Sequence, residues 1–167
     1  MRVTDLTDIP HIKKSGKLSP EFLYIIEHFP DDVLDILKHS WATYKTEVDE
    51  AIRHTIANHS VQCSDGHNVS RQPLKDTYVP EPTLKRISSE LCNDGRTIPF
   101  LVLEPYTLSG WNFLTKFDVG ITADLDFYFW VGKQPQFREG CTLPIAKKFL
   151  KRVAELTGFD ANKTTRV

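Results

Sequence analysis

Val33, Leu37, Trp41, Tyr44, Val48, Ile52 and Ile56 recur at spacings of three and four. That period puts all seven on one face of a helix, and no strand buries such a set together. The spacing predicts an amphipathic helix from just after Asp31-Asp32 to about His59, with a shorter version broken near His39-Ser40. The two aspartates place negative charge at its positive end. Upstream, Ser19-Pro20-Glu21 starts a helix that runs to His28 or Phe29, the hydroxyl serving as cap and the proline fitting the first turn. A short helix is expected from Thr83 to Asn93, stopped by Asn93-Asp94-Gly95. Thr142-Leu143-Pro144 opens a last helix with Ile145, Phe149, Val153 and Leu156 as its stripe and Gly158 as its end.

Between the third and the last of these helices the period changes. "TIPFLVLEP", "WNFLTKF" and "ADLDFYFWVG" are rich in β-branched and aromatic residues and predict strands near 97–104, 111–118 and 122–131. Helices first, strands in the middle and a helix last predict an α+β fold. In it, the N-terminal helices and the C-terminal helix pack on one face of a small, mainly antiparallel sheet. The absence of alternating βαβ units argues against a doubly wound nucleotide-binding fold. With 167 residues, 40% of them apolar, the chain has material for one core, so residues 1–167 are expected to form a single domain. Residues 1–18 and 160–167 read as flexible arms. The polar stretch 60–82, with Asp65-Gly66 and three prolines, reads as a long irregular loop.

No run of 18 apolar residues occurs, and the opening "MRVTDLTDIPHIKKSGK" lacks the apolar region of a signal peptide. Cys63, Cys92 and Cys141 are odd in number and never arranged as CxxC, which indicates neither a disulfide framework nor a zinc ribbon. A soluble cytoplasmic protein with no membrane partner is expected. In that compartment the sequons at Asn58, Asn68 and Asn162 stay idle, whereas in an exported chain they would be glycosylation sites.

The net charge of −1 hides an uneven distribution. From Glu21 to Glu50, eight acids face two lysines, a balance of −6; from Arg138 to Val167, seven bases face three acids, a balance of +4. Acidic and basic elements are expected to neutralise one another across the fold or to face water. Lys147, Lys148, Lys151 and Arg152 form a basic patch on the last helix that could touch phosphates. With no basic stripe elsewhere, nucleic-acid binding is not favoured.

Within the third expected strand, alternation places Asp124 and Asp126 on one face with Tyr128 and Trp130, and Leu125, Phe127, Phe129 and Val131 on the core face. Carboxylates about 7 Å apart on a strand can grip one Mg²⁺ or Mn²⁺ between them. This acid-apolar-acid-apolar pattern resembles the catalytic strand of the polymerase β-type nucleotidyltransferases, and archaeo-eukaryotic primases use a similar acid pair. The resemblance covers about twenty residues and implies metal-dependent phosphoryl transfer. The chain departs from the family's pattern in having Ser109-Gly110 where a Gly-Ser turn is expected, and no third carboxylate on a later strand. A nuclease version gathers Glu104, Asp118, Asp124 and Asp126, with Lys116 or Lys133 stabilising charge on the phosphate.

His54, His59, Cys63 and His67 fall within fourteen residues and suit zinc chemically. His54 and His59 are five apart, about 140° around a helix, so they can share an ion only if the helix ends between them. Histidines near a helix C-terminus also interact well with its dipole and need no metal.

There is no G-x-S-x-G elbow, glycine-rich phosphate loop or H-E-x-x-H. The chain is therefore expected to be a small binding protein, an adaptor, inhibitor or immunity-type module without a cofactor. Its partner would be a protein, met by Trp111, Tyr128 and Trp130 beside Asp124 and Asp126. The alternative is a metal-dependent nuclease or nucleotidyltransferase using Asp124 and Asp126, with Asp118 and Lys133 as further catalytic candidates. The ending Thr165-Arg166-Val167 fits the carboxyl terminus that PDZ-type domains capture.

Overall fold

The computed structural model describes residues 10–64, 68–91, 98–133 and 135–158. The fold is α+β, and the N-terminal part is ordered earlier than an arm over 1–18 would be. Strands β1 (Lys13–Lys14) and β2 (Lys17–Leu18) pair antiparallel around Ser15 and Gly16, whose φ values of 52° and 78° suit a two-residue hairpin turn. Ile12 is fully buried, and the Tyr44 hydroxyl donates to the Pro10 carbonyl at 2.6 Å. Ser19 donates its hydroxyl to the His11 carbonyl and accepts from the Phe22 amide at 3.0 Å, which starts α1 (Pro20–His28).

The long hydrophobic stripe is divided between two helices, α2 (Val33–Tyr44) and α3 (Glu50–Ala57). Asp49 explains the division: its carboxylate accepts from the Ile52 amide at 3.1 Å and begins a new helix where a continuous one was expected. Val33, Leu37, Tyr44, Ile52 and Ile56 still reach the core, and Trp41 and Val48 pack against it half-buried.

Residues 60–82 are not the irregular loop expected. Strand β3 (Ser60–Ser64) pairs antiparallel with β4 (Val69–Pro73), a 3₁₀ turn follows at Leu74–Asp76, and β3 also pairs antiparallel with β5 (Phe100–Leu101). Two single-residue bridges extend this sheet. Tyr78 bridges Phe100 and Gly120, both in parallel sense, so the far edge is the backbone at Gly120. The Val79 amide donates to the Gly120 carbonyl and the Gly120 amide to the Thr77 carbonyl, each at 3.0 Å.

After α4 (Pro82–Leu91), the expected strands are largely replaced by helix. Among the described residues only β5 falls in 97–104; 111–118 holds the end of α5 (Leu108–Trp111) and a 3₁₀ turn at Asn112–Phe117; 122–131 holds α6 (Leu125–Lys133). Asp124 decides the last case by accepting from the Phe127 amide at 3.0 Å, so a cap and tertiary packing override the aromatic composition. The helical period buries Phe127, Tyr128 and Val131 and leaves Phe129 52% exposed, so Phe129 is not the core residue that alternation required.

Helices α7 (Pro135–Gly140) and α8 (Leu143–Thr157) complete the chain. Helix α8 packs chiefly on α4 and α6. Phe149 is its anchor, 4.9 Å from the Phe137 ring and 5.8 Å from the Tyr128 ring.

Candidate functional site: an acidic cleft between the sheet edge and helix α6

Where the sheet edge meets the start of α6, a cleft of about 440 Å³ opens. Its walls come from three places: the 3₁₀ turn at Leu74–Asp76 supplies Lys75 and Asp76, the segments leading to the Tyr78–Gly120 bridge supply Tyr78 and Asp118, and α6 with its capping residue supplies Asp124, Asp126 and Trp130. The three acids singled out in sequence, Asp118, Asp124 and Asp126, thus line one cleft. Asp76, Tyr78 and Lys75 were not foreseen, because they lie in the segment read as loop and no local pattern links them to α6.

The four carboxylates differ in what holds them. Asp118 sits at φ 63°, the left-handed conformation that Asp tolerates better than most residues, and ends the 3₁₀ turn. Its Oδ2 accepts from Arg53 Nη1 at 2.6 Å, while Glu50 accepts from the same guanidinium at 2.5 and 3.0 Å. Arg53 is pushed further above its ordinary range by Glu50 first and Asp118 next, so the charge of Asp118 is answered. Asp124 is fixed by its cap and by the Thr122 hydroxyl, which donates to Oδ2 at 3.3 Å. Asp76 and Asp126 are exposed and, among the described residues, take part in no hydrogen bond or ion pair. Asp126 lies in the first turn of α6, at the positive end of the helix dipole.

Tyr78 is only 8% exposed. Its ring meets Phe127 and Trp130 edge-on, at 5.3 and 5.9 Å between centroids. Burial, then the charges of Asp124, Asp126 and Asp76, push its hydroxyl up to about 12, so it keeps its proton at any ordinary pH. Trp130 is half-buried in the same wall.

The other expected site residues go elsewhere. Lys133 stands at the opposite end of α6, about 12 Å along the helix from its start. Glu104 and Lys116 are exposed and do not line the cleft. Two of the three aromatics expected at a surface are core: Trp111 is 1% exposed, its indole donating to the Pro105 carbonyl at 3.2 Å under the Lys38 ammonium, and Tyr128 is 2% exposed. The expected binding surface of Asp124, Asp126, Tyr128, Trp130 and Trp111 therefore keeps Asp124, Asp126 and Trp130.

In the basic patch, Lys148 pairs with Glu90 at 2.5 Å, and Arg152 and Lys151 face Glu155 at 2.9 and 4.0 Å. Lys147 is exposed. Elsewhere Lys13 pairs with Asp49 at 2.7 Å and Arg71 with Asp31 at 2.9 Å.

Of the residues considered for zinc, the described ones, His54, His59 and Cys63, form no group that could hold an ion. His54 lies exposed on α3 beside Asn58, His59 turns its Nε2 to the Pro30 carbonyl at 3.3 Å, and Cys63 is fully buried in β3. His67 lies outside the described residues. Among the described residues no three His, Cys, Asp or Glu side chains are placed to share a metal ion. Cys92, Asn162 and Thr165-Arg166-Val167 also lie outside the described residues. Among the described residues no helix is long and apolar enough to cross a membrane.

No family model, no curated protein and no solved structure matches this chain.

Proposed function

We propose that this protein works by binding, and that its partner is a protein presenting a basic segment to the cleft between the sheet edge and α6. The observation that carries this is the pairing of Asp76 and Asp126, exposed and without ion-pair partners among the described residues, with the aromatic wall of Tyr78 and Trp130. Exposed carboxylates steer a cationic partner and fix its register, and aromatic side chains supply the contact energy. A phosphate backbone would be repelled by the same charges. The adaptor, inhibitor and immunity-type versions of this function all use such a surface.

Metal-dependent phosphodiester chemistry would use the same carboxylates. It has Asp118, Asp124 and Asp126 in one cleft in its favour, and against it that Asp118 is engaged by Arg53.

The test is calorimetric titration with a Lys/Arg-rich peptide of about a dozen residues and its Asp/Glu-rich counterpart, at about 50 and about 300 mM salt. The basic peptide should bind, more weakly at high salt, and lose most of its affinity to an Asp76→Asn/Asp126→Asn double variant. Equal binding of both peptides, or full retention by the variant, would contradict the proposal.

A further inference from the structure

We infer that this protein associates with a second copy of itself, the outer face of helix α8 in one copy seating on the outer face of α1 in the other. The contact is separate from the cleft and does not depend on the function proposed for it.

Helix α8 buries little for its length. Over 15 residues it encloses no side chain completely, and Leu143 and Leu150 stand 68% and 63% exposed. Two turns apart, these leucines share one side of the helix, about 100° round from Phe149, which packs on Tyr128 and Phe137. Half-buried Ala146 and Ala154 fill out the same side, and Lys147 and Lys151 flank it. Both lysines are exposed. Among the described residues Lys147 makes no ion pair, and Lys151 reaches only Glu155, at 4.0 Å.

Helix α1 carries the counterpart. Leu23 and Tyr24 are 46% and 57% exposed, and the Tyr24 ring is braced against the rings of His28 and Phe29, at 4.2 and 6.2 Å between centroids. Glu27 lies one turn on from both, and Glu21 one turn before Tyr24, so the apolar pair has an acidic rim. Among the described residues Glu21 makes no ion pair, and Glu27 approaches only His28, at 4.0 Å.

Charge decides what covers the two faces. Each is an apolar pair with two charged neighbours, and the signs are opposite. If α8 packed on α8 of the second copy, lysines would meet lysines; α1 on α1 would set glutamates against glutamates, and like charges across an interface disfavour both. An acidic partner of another kind would satisfy α8 alone, whereas a second copy satisfies both faces. The wider chain has the same polarity, −6 from Glu21 to Glu50 and +4 from Arg138 to Val167. Helices of 9 and 15 residues are about 14 and about 22 Å long, and their faces fall short of the about 800 Å² per partner of a standard interface. The association is therefore weak, reversible and salt-sensitive.

The test is sedimentation velocity of the whole chain from about 10 to about 500 µM, at about 50 and about 300 mM salt. The sedimentation coefficient should rise with concentration, and rise less at high salt. Reversing either rim, by Lys147→Glu/Lys151→Glu on α8 or Glu21→Lys/Glu27→Lys on α1, should weaken association at least about tenfold. An equimolar mixture of the two variants should recover it, because the reversed α8 of one then matches the reversed α1 of the other. Leu150→Gln removes apolar contact without changing charge, and should weaken association at an unchanged melting temperature. Asp76→Asn/Asp126→Asn should leave association as it is. A monomer at every concentration, undiminished association of the α1 reversal, loss of association in the cleft variant, or no recovery in the mixture would each overturn the inference. A chain that stays monomeric yet sediments with phosphatidylserine vesicles would also overturn it, and would make the α8 face a lipid surface.

Discussion

The ring of Tyr78 lies so close to the backbone of Gly120 that a Cβ there would sit 2.2 Å from Cδ1 and 2.3 Å from Cε1. These two residues also bridge in parallel, so the glycine lets the ring fold over the sheet edge and form the cleft wall. Gly120→Ala must displace an aromatic ring packed on Phe127, not the far end of a flexible chain. We expect a loss of about 1–3 kcal/mol in chemical denaturation. Gly140, whose added Cβ would meet nothing within 4 Å, is the control. Gly140→Ala should change stability by no more than about 0.5 kcal/mol.

His59 makes the fold sensitive to mild acid. Burial holds it below its ordinary value of 6.5, outweighing the hydrogen bond to Pro30, while Arg71 and Asp31 act in opposite directions. The unfolded chain therefore takes up a proton near pH 6.5 that the folded chain refuses until lower pH. Stability should fall as pH drops from about 7 through that window, and the slope should be smaller in His59→Gln. Urea unfolding at several pH values reads both. An equal slope in the variant would remove His59 as the cause.

Cys63 should be inert in the folded protein. Burial pushes its thiol up to about 11, and its side chain is fully enclosed. Alkylation mapped by mass spectrometry should label Cys141, which is partly exposed, well before Cys63. Cys63 should become reactive only on unfolding.

Metal binding separates the two functions proposed for the same carboxylates. Titration with Mn²⁺ or Mg²⁺ should give no saturable heat that depends on Asp126. Binding that is present in the wild type and lost in Asp126→Asn would favour the phosphodiester enzyme.

The helical stripe from Val33 to Ile56 was legible because burial on one face demands its period, and only the break at Asp49 went unread. Residues 122–131 misled for a physical reason. Aromatic and β-branched residues suit a half-buried strand, but composition says nothing about whether Asp124 will cap the amides behind it. Asp-x-x followed by an apolar run was the visible cue. Parity along a strand would have buried Phe129 and exposed Tyr128, and the helix does the reverse. Strand β4 was hidden by its polarity, since Val69, Ser70, Arg71 and Gln72 all face outward and leave no alternation to detect. Asp124 and Asp126 could be singled out from sequence because they are neighbours. Asp76 and Tyr78 could not, because tertiary structure alone brings them to α6.

The most direct test of the account is to map where a Lys/Arg-rich peptide touches the protein, by ¹H–¹⁵N chemical-shift perturbation at low salt. The predicted map is centred on Tyr78, Gly120 and the first turns of α6 through Trp130, and it fades in the Asp76→Asn/Asp126→Asn variant. A map centred instead on α1, on the outer face of α8 or on no single surface would contradict it.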